Sequence, residues 1–248
     1  MDINTRSLPA ATLAMFNSLS SSAEMKATGA TLIGGTALTL LIGHRVSEDL
    51  DFFYFQDTLP AELNTLITVL KKDRSVQSLL TSAQISQARI NGYNIEDYIR
   101  EYLIDGVKIS FSIMDKGGES RRNYFKNAGV IDFQSAFNIL DLDSLFKSKS
   151  VVLSDRVKSR DLFDLMVLIR DHGYTIKDVI DAIMTIDGKD QPQANAVIEI
   201  LIGNVPLDNN DPGFNSISLN VSMNEIYNFF KVKVNEHEQM IARAELDK

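Results

Sequence analysis

Residues 32–53 read LIGGTALTLLIGHRVSEDLDFF, and this segment predicts the architecture of the N-terminal half of the chain. A short apolar strand ends at Gly34 and Gly35, and the residues that follow have the composition of a helix. The chain then returns as a strand rich in aromatic residues that carries Asp49 and Asp51. Side chains two positions apart on a strand share a face, so we expect both aspartates to project together while their apolar neighbours enter the core.

This arrangement is suited to binding a metal–nucleotide complex. Two carboxylates about 6–7 Å apart along one strand can hold Mg²⁺ or Mn²⁺, which prefer oxygen ligands and bridge to substrate phosphates. Gly34 and Gly35 allow backbone to approach a nucleoside triphosphate (NTP) closely, and the helix that follows from Thr36 offers unpaired N–H groups to phosphate. Asp49 and Asp51 are therefore the predicted catalytic residues and metal ligands.

Each of these features alone has a common structural explanation. A D-x-D pair on a strand is usually two solvated acids, and a Gly-Gly pair is usually only a turn. The order strand, diglycine, helix and acidic strand favours the metal–nucleotide interpretation over both explanations.

Composition narrows the classes of function. The chain has 248 residues, 44% of them hydrophobic, a formal net charge of −8 and no cysteine. The absence of cysteine excludes disulfides and thiolate metal sites, and we expect a cytoplasmic protein that does not enter the membrane. The acidic net charge argues against a general nucleic-acid coat. Two local basic clusters, within residues 121–126 and 147–160, favour a ligand that carries phosphate at one site.

Hydrophobic periodicity divides the chain into a mixed first half and a helical second half. Helices are predicted over residues 8–19, 36–41, 59–72, 142–154, 159–172, 175–186, 192–203 and 222–246, and strands over 30–33, 50–55, 82–91, 95–104 and 107–114. Asp105-Gly106 predicts a two-residue hairpin between the last two strands. The change in pattern places a domain boundary near residue 130.

The segment 32–53 resembles the AbiEii/AbiGii toxin-type nucleotidyltransferase family of the polymerase-β-like superfamily, whose members often read GGTAL followed by GHR-x-S-x-D-L-D-F-F. A second segment, 149–165, resembles the downstream K…R…RD-x-x-D-L block of that family. The resemblance implies an α+β fold: a polymerase-β-like mixed sheet with flanking helices over 1–130, and a helical bundle over 131–248 that contributes to the active-site cleft.

The second block contains acidic residues on a helix that is apolar nearly all round. Asp161 lies within an apolar arc of this helix, with Asp164 beside it, and a buried carboxylate requires a cation or hydrogen-bond donors. One explanation is a structural ion pair with Arg156, Arg160 or Lys149. The resemblance instead implies a catalytic role for Lys149, Asp161 and Asp164, with Arg160 among the nucleotide-binding residues.

Arg45, Ser47 and Lys108 are further predicted nucleotide-binding residues, although Arg45 could equally anchor the loop before the D-x-D pair and Ser47 could be a hydrogen-bonding residue of that loop. One departure from the superfamily concerns a third acid, which many members carry on a later strand of the sheet. Here the alternation of residues 107–113 sends Lys108, Ser110 and Ser112 to one face, without an acid. Either the helical block supplies the third carboxylate, or catalysis is weak or lost.

These features predict a metal-dependent enzyme that transfers a nucleoside monophosphate from an NTP to a tRNA or protein acceptor. The family analogy implies the toxin of a toxin–antitoxin or abortive-infection system, with an antitoxin protein as partner. The alternative is a catalytically weak module on the same fold that binds a nucleotide or a partner without turnover.

Overall fold

The computed structural model describes residues 3–113, 118–131, 135–214 and 219–246. The chain forms two compact units, Met1–Leu145 and Phe146–Lys248.

The first unit is built on a mixed sheet. In its described residues the strands are β1 (Thr31–Ile33), β2 (Leu50–Tyr54), β3 (Val76–Ser78), β4 (Ile99–Ile104), β5 (Val107–Ile113), β6 (Val130–Ile131) and β7 (Asn138–Leu140). Their order across the sheet is β3-β4-β5-β2-β1-β7-β6. Strand β2 runs antiparallel to β1 and parallel to β5, so the acidic strand lies at the centre of the sheet.

Helices accompany this sheet along the first unit. They are α1 (Ala10–Ser20), α2 (Ala23–Thr28), α3 (Gly34–Ile42), α4 (Glu62–Asp73), α5 (Ser82–Ile90) and α6 (Gly118–Lys126), with a 3-10 turn over Ile95–Asp97. The α+β class predicted from the sequence is confirmed.

Aromatic packing fixes the apolar face of the central strands. The ring of Phe52 stacks on Phe111 with centroids 5.5 Å apart and meets Phe137 edge-on at 4.9 Å. Leu50 and Phe52 are fully buried, whereas Asp51 and Phe53 are only partly buried. This alternation confirms the period of two in β2 and places Asp51 on the face opposite the aromatic core.

The predicted hairpin joins β4 to β5. Asp105 and Gly106 have φ angles of 48° and 83°, as a type I′ turn requires at both central positions. The Asp105 carboxylate also accepts hydrogen bonds from the Ser75 backbone N–H (3.0 Å) and from Arg74 (2.8 Å). The turn therefore sets the pairing of the two strands.

Several predicted elements were wrong in type or extent. The strand predicted over 82–91 is helix α5, which begins with a capping box between Thr81 and Gln84. The strand predicted over 95–104 starts only at Ile99, after the 3-10 turn. The end of the strand predicted over 107–114 lies outside the described residues.

The second unit is helical over its described residues. Helix α7 (Leu142–Val152) crosses the boundary between the units and is followed by α8 (Ser159–Asp171), α9 (Ile176–Asp187), α10 (Gln191–Asn195), α11 (Val197–Leu201) and α12 (Met223–Leu246). The single helix predicted over 192–203 is two short helices. Helix α8 is buried on nearly every side and contacts α12, whose buried residues are Ile226, Phe230 and Val234.

The boundary between the units differs from the one predicted near residue 130. The first unit extends to Leu145, because residues 130–140 contain the short strands β6 and β7 of the same sheet. Strands of two and three residues are too short to produce a recognisable alternation.

None of the helices that the structure describes combines the length and apolar character needed to cross a membrane.

Candidate active site

The diglycine bend lies directly beside Asp51. Strand β1 ends at Ile33, which pairs with Asp51 across the sheet, and Gly34 begins helix α3 with a φ of +75°. A methyl group at Gly34 would lie 3.1 Å from the Asp51 Oδ2. Glycine is needed here for its left-handed backbone and for the close approach of this carboxylate.

Gly34→Ala is expected to destabilise the chain by about 1–2 kcal/mol through its left-handed backbone, and also to displace the Asp51 carboxylate. Gly29→Ala is a matched control, because Gly29 has a similar φ of +68° but open space around it. Both variants should lose comparable stability in denaturant unfolding, and only Gly34→Ala should lose metal-dependent nucleotide binding. Equal nucleotide binding by both variants would contradict the claim that displacing the Asp51 carboxylate impairs nucleotide binding.

The loop between α3 and β2 folds back onto the start of α3. A methyl group at Gly35 would lie 2.3 Å from Arg45 Nη2 and 3.3 Å from Ser47 Oγ, and both of these side chains are buried. The Thr36 hydroxyl donates to the Asp49 carbonyl and shares a hydrogen bond with Ser47 Oγ at 2.8 Å. These contacts anchor the loop that presents Asp49.

The structure thus brings Gly34, Gly35, Thr36, Arg45 and Ser47 together at the bend. In the described contacts, Gly35 makes room for protein side chains, and the Arg45 guanidinium donates to the Val46 carbonyl at 3.0 Å. This geometry supports the loop-anchoring interpretation of Arg45. Nucleotide binding by these residues stays a prediction.

Strand β5 supplies a hydrogen bond that orients one of the two acids. Asp51 pairs with Ser110 across the parallel strands, and the Ser110 hydroxyl donates to Asp51 Oδ1 at 2.5 Å. Ser110 therefore occupies the strand position facing Asp51, and its face is the one predicted from the alternation of β5.

Ser110→Ala is expected to lower the unfolding free energy by about 1 kcal/mol and the rate of nucleotidyl transfer about tenfold, because Asp51 loses the donor that orients it. Ser112→Ala, at a partly buried position two residues further along the same strand, is the matched control. Steady-state kinetics and denaturant unfolding test both effects. A transfer rate for Ser110→Ala equal to that of the control would contradict the claim that Ser110 orients Asp51 for the reaction.

Lys108 lies within the electrostatic field of both aspartates. Its ammonium pairs with Glu101 Oε1 at 3.2 Å. Partial burial by itself lowers the pKa of Lys108, but the charge and hydrogen bond of Glu101, together with the charges of Asp49 and Asp51, outweigh burial and raise that pKa. The charges of both acids therefore reach Lys108.

Glu101, which pairs with Lys108, was not predicted from the sequence as a residue near the two aspartates. It lies on β4 directly opposite Ser110. The signal was present, because counting outward from the two-residue turn at Asp105-Gly106 places residue 101 opposite residue 110.

The second predicted group lies within the helical unit. The Lys149 Nζ contacts Asp161 Oδ1 at 2.6 Å and Asp164 Oδ2 at 2.7 Å, and all three side chains are buried. Arg156 Nε adds a contact to Asp161 Oδ2 at 2.9 Å. We call Lys149, Arg156, Asp161 and Asp164 the buried ion cluster. Its geometry supports the structural explanation, and a catalytic role for Lys149, Asp161 and Asp164 stays a prediction.

Arg160 has a different environment. Its Nε donates to the Gly213 carbonyl at 3.1 Å, in the segment that also places Asp211 on the backbone N–H and hydroxyl of Ser159. Arg160 therefore ties this segment to the start of α8, and its predicted contact with a nucleotide is untested.

Comparison with known families identifies the family to which the two sequence blocks belong. The profile of the family described as nucleotidyl transferase AbiEii toxin, type IV toxin–antitoxin system, matches residues 17–240. The chain belongs to this AbiEii family. The resemblance inferred from the two sequence blocks is therefore confirmed.

Two individual proteins are similar to this AbiEii-family chain. A protein of Aquifex aeolicus (strain VF5), named uncharacterized protein aq_aa25, is 30% identical over 150 residues, which are 60% of this chain and 61% of that protein. The crystal structure of JHP933 from Helicobacter pylori is 17% identical, with a TM-score of 0.49 over 99% of this chain and 100% of that one.

Metal binding by the acidic pair of this AbiEii-family chain stays a prediction. Among the residues that the structure describes, no group of three or more His, Cys, Asp or Glu side chains could hold a metal ion. Mg²⁺, however, is often bound by one or two carboxylates, with phosphates and waters completing its shell. Asp49 and Asp51 supply that number of carboxylates.

The buried ion cluster predicts a pH dependence of stability. Burial by itself raises the pKa of Asp161, but the charges and hydrogen bonds of Lys149 and Arg156 outweigh it and hold that pKa below its ordinary value. An unfolded aspartate has a pKa of about 3.9, so below that pH the unfolded state takes up a proton that the folded state resists.

Stability of the AbiEii-family chain should therefore fall as pH falls from about 4 through the lower folded pKa of Asp161. Denaturant unfolding across this range should show a steeper loss for the wild type than for Asp161→Asn. Asp181→Asn, which alters an exposed ion pair in the same unit, should keep the slope of the wild type. Identical slopes for the wild type and Asp161→Asn would refute this account of the cluster.

Proposed function

We propose that this chain transfers a nucleoside monophosphate from an NTP to an acceptor hydroxyl, with Asp49 and Asp51 holding Mg²⁺ or Mn²⁺. The observation that carries the proposal is the position of Asp51, beside the diglycine bend at the start of α3 and on the face reached by the charge of Lys108. Membership of a nucleotidyl transferase family supports the same reaction.

The residues at and near this bend have separate roles in such a reaction. The unpaired N–H groups at the start of α3 face the negative charge of the triphosphate, and Lys108 adds a cation. When bound, the divalent ion neutralises phosphate charge and stabilises the attacking and leaving oxygens. Ser110 keeps Asp51 in one orientation, and the Thr36–Ser47 contacts hold the backbone of Asp49.

The covalent step exchanges one phosphorus–oxygen bond for another. The acceptor oxygen attacks the α-phosphorus, the bond to the β-phosphate oxygen breaks, and pyrophosphate leaves with that electron pair. The proton of the acceptor hydroxyl passes to a carboxylate of the acidic pair. Catalysis of this kind rests on positioning and electrostatic stabilisation.

Lys149, Asp161 and Asp164 enter the proposal through the resemblance of the second sequence block. A catalytic role and a structural role differ in their readouts. If the role is structural, a substitution lowers the unfolding free energy and leaves the turnover of the folded fraction unchanged. If the role is catalytic, a substitution lowers turnover and leaves the unfolding free energy unchanged. Discrimination therefore requires both measurements on each variant.

The acceptor is proposed to be an RNA, such as a tRNA end, or a protein, and the biological role that of a toxin held in check by an antitoxin. The family's type IV toxin–antitoxin description supports this role. A second candidate function, nucleotide binding without turnover, is favoured by one observation: Ser110 stands opposite Asp51 on β5, where an acid would complete a triad.

Transfer of label from each α-³²P-NTP in Mg²⁺ or Mn²⁺, with total RNA or lysate protein as acceptor, tests the proposal. Label on RNA identifies an RNA acceptor, and label on protein identifies a protein acceptor or the chain itself. A rise in melting temperature on adding nucleotide, without label transfer, would contradict nucleotidyl transfer. If that rise is lost in Asp49→Ala/Asp51→Ala, the result would support nucleotide binding without turnover.

A further inference from the structure

A row of polar side chains crosses the neighbouring strands β2, β5 and β4 beside the acidic pair. Asp51 on β2 pairs with Ser110 on β5, and Ser110 pairs with Glu101 on β4. Residues paired in adjacent strands share a face, so Asp51, Ser110 and Glu101 lie side by side. Neighbouring strands are about 4.8 Å apart, which places Glu101 two strand spacings, roughly 10 Å, from Asp51 at the backbone.

Lys108 is the cation beside this row of polar side chains, two residues before Ser110 on β5. Its ammonium contacts Glu101 at 3.2 Å, and it interacts electrostatically with Asp49 and Asp51. The Lys108 side chain is 44% exposed, so a ligand can reach it, and the Glu101 side chain is 25% exposed. Glu101 is therefore engaged with an internal cation, and its carboxylate is directed to that cation in the described contacts.

The charges of this group suit one divalent ion. Two-metal sites hold ions about 3.5–4 Å apart and need enough carboxylates to offset their mutual repulsion. Here Asp49 and Asp51 are the two acids at the bend, Ser110 contributes a neutral hydroxyl, and Lys108 already supplies a positive charge.

We propose that Lys108, held in place by Glu101, supplies the second positive charge at the acidic pair, so that the site binds one divalent ion with each nucleotide. Glu101 is a positioning residue for Lys108 and does not ligate the ion. The inference rests on the proposed function, because it assumes that Asp49 and Asp51 bind the metal–nucleotide complex.

The number of bound Mn²⁺ ions per chain tests this inference without measuring catalysis. Electron paramagnetic resonance reports free Mn²⁺ during titration of the full chain, with and without an α,β-methylene NTP analogue. The wild type should saturate at about one Mn²⁺ per chain in the presence of the analogue, and not at the two ions of a two-metal site. Lys108→Met should bind a second Mn²⁺, because it removes the internal cation and frees Glu101.

Two further variants separate charge from fold. Lys108→Arg keeps the charge and should keep one Mn²⁺ per chain. Glu101→Gln should also keep one Mn²⁺ but bind the analogue several-fold more weakly, since Lys108 is no longer held. Lys71→Met removes an exposed lysine of the same unit and should match the wild type in both readouts.

Each outcome has a definite meaning. Two Mn²⁺ per wild-type chain, or a Lys108→Met titration that matches the wild type, would overturn the inference and leave the proposed function standing. Wild-type Mn²⁺ binding that persists in Asp49→Asn/Asp51→Asn, or no Mn²⁺ binding by the wild type at all, would overturn the proposed function itself.

Discussion

Asp51→Asn is expected to lower the rate of nucleotidyl transfer by roughly a thousandfold or more. Charge stabilisation by a bound metal ion contributes several kcal/mol to such reactions, and each 1.4 kcal/mol is a factor of ten. The substitution preserves the shape of the side chain and an oxygen that can accept the Ser110 hydrogen bond. It removes the negative charge, so the loss should appear in transfer and leave stability nearly unchanged.

The matched control is Asp57→Asn. Asp57 belongs to the same unit, its side chain is 90% exposed, and its described partner is Arg122 at 3.0 Å. Exposed ion pairs contribute little, so this variant should transfer label at the rate of the wild type. Transfer by Asp51→Asn within about threefold of the control, well short of the predicted several kcal/mol, would show that Asp51 does not bind the reacting complex.

Lys149→Met is expected to destabilise the chain by roughly 3–5 kcal/mol, the usual cost of breaking a buried ion pair by removing one partner. The substitution leaves Asp161 and Asp164 buried with less compensating charge, while Arg156 still contacts Asp161. Urea unfolding of the full chain, followed by circular dichroism, measures the shift in midpoint and in unfolding free energy.

Two comparisons sharpen this prediction. Lys177→Met breaks an exposed pair with Asp181 in the same unit and should cost no more than about 0.5 kcal/mol. Adding Asp161→Asn and Asp164→Asn to Lys149→Met should recover part of the lost stability, because no uncompensated charge then remains buried. A Lys149→Met variant as stable as Lys177→Met would refute the structural role of the buried ion cluster.

The centre of the fold could be predicted because its signals are local. Two glycines, a helical composition and an alternating acidic strand all lie within residues 32–53, and the structure contains β1, α3 and β2 in that order. The period of two in β5 likewise predicted that Lys108, Ser110 and Ser112 share one face, and the hydrogen bond from Ser110 to Asp51 places Ser110 beside that acid.

Two other features were missed although the sequence carried a signal for them, and a third depended on the folded chain. Helix α5 was mistaken for a strand because its apolar pattern is weak, and the capping box at Thr81 and Gln84 was overlooked. Glu101 was missed because its place opposite Ser110 follows only from counting strand pairs outward from the turn at Asp105-Gly106. The possible partners of Asp161 could be named as a set, but only the folded chain shows that Lys149 and Arg156 contact it.

Calorimetric titration of an NTP analogue into the wild type and into Asp49→Asn/Asp51→Asn, with and without Mg²⁺, tests the central claim most directly. We expect binding by the wild type that requires Mg²⁺, and no binding by the double variant. Nucleotide binding that is equally strong without Mg²⁺, or that survives in the double variant, would contradict the role assigned to the two aspartates.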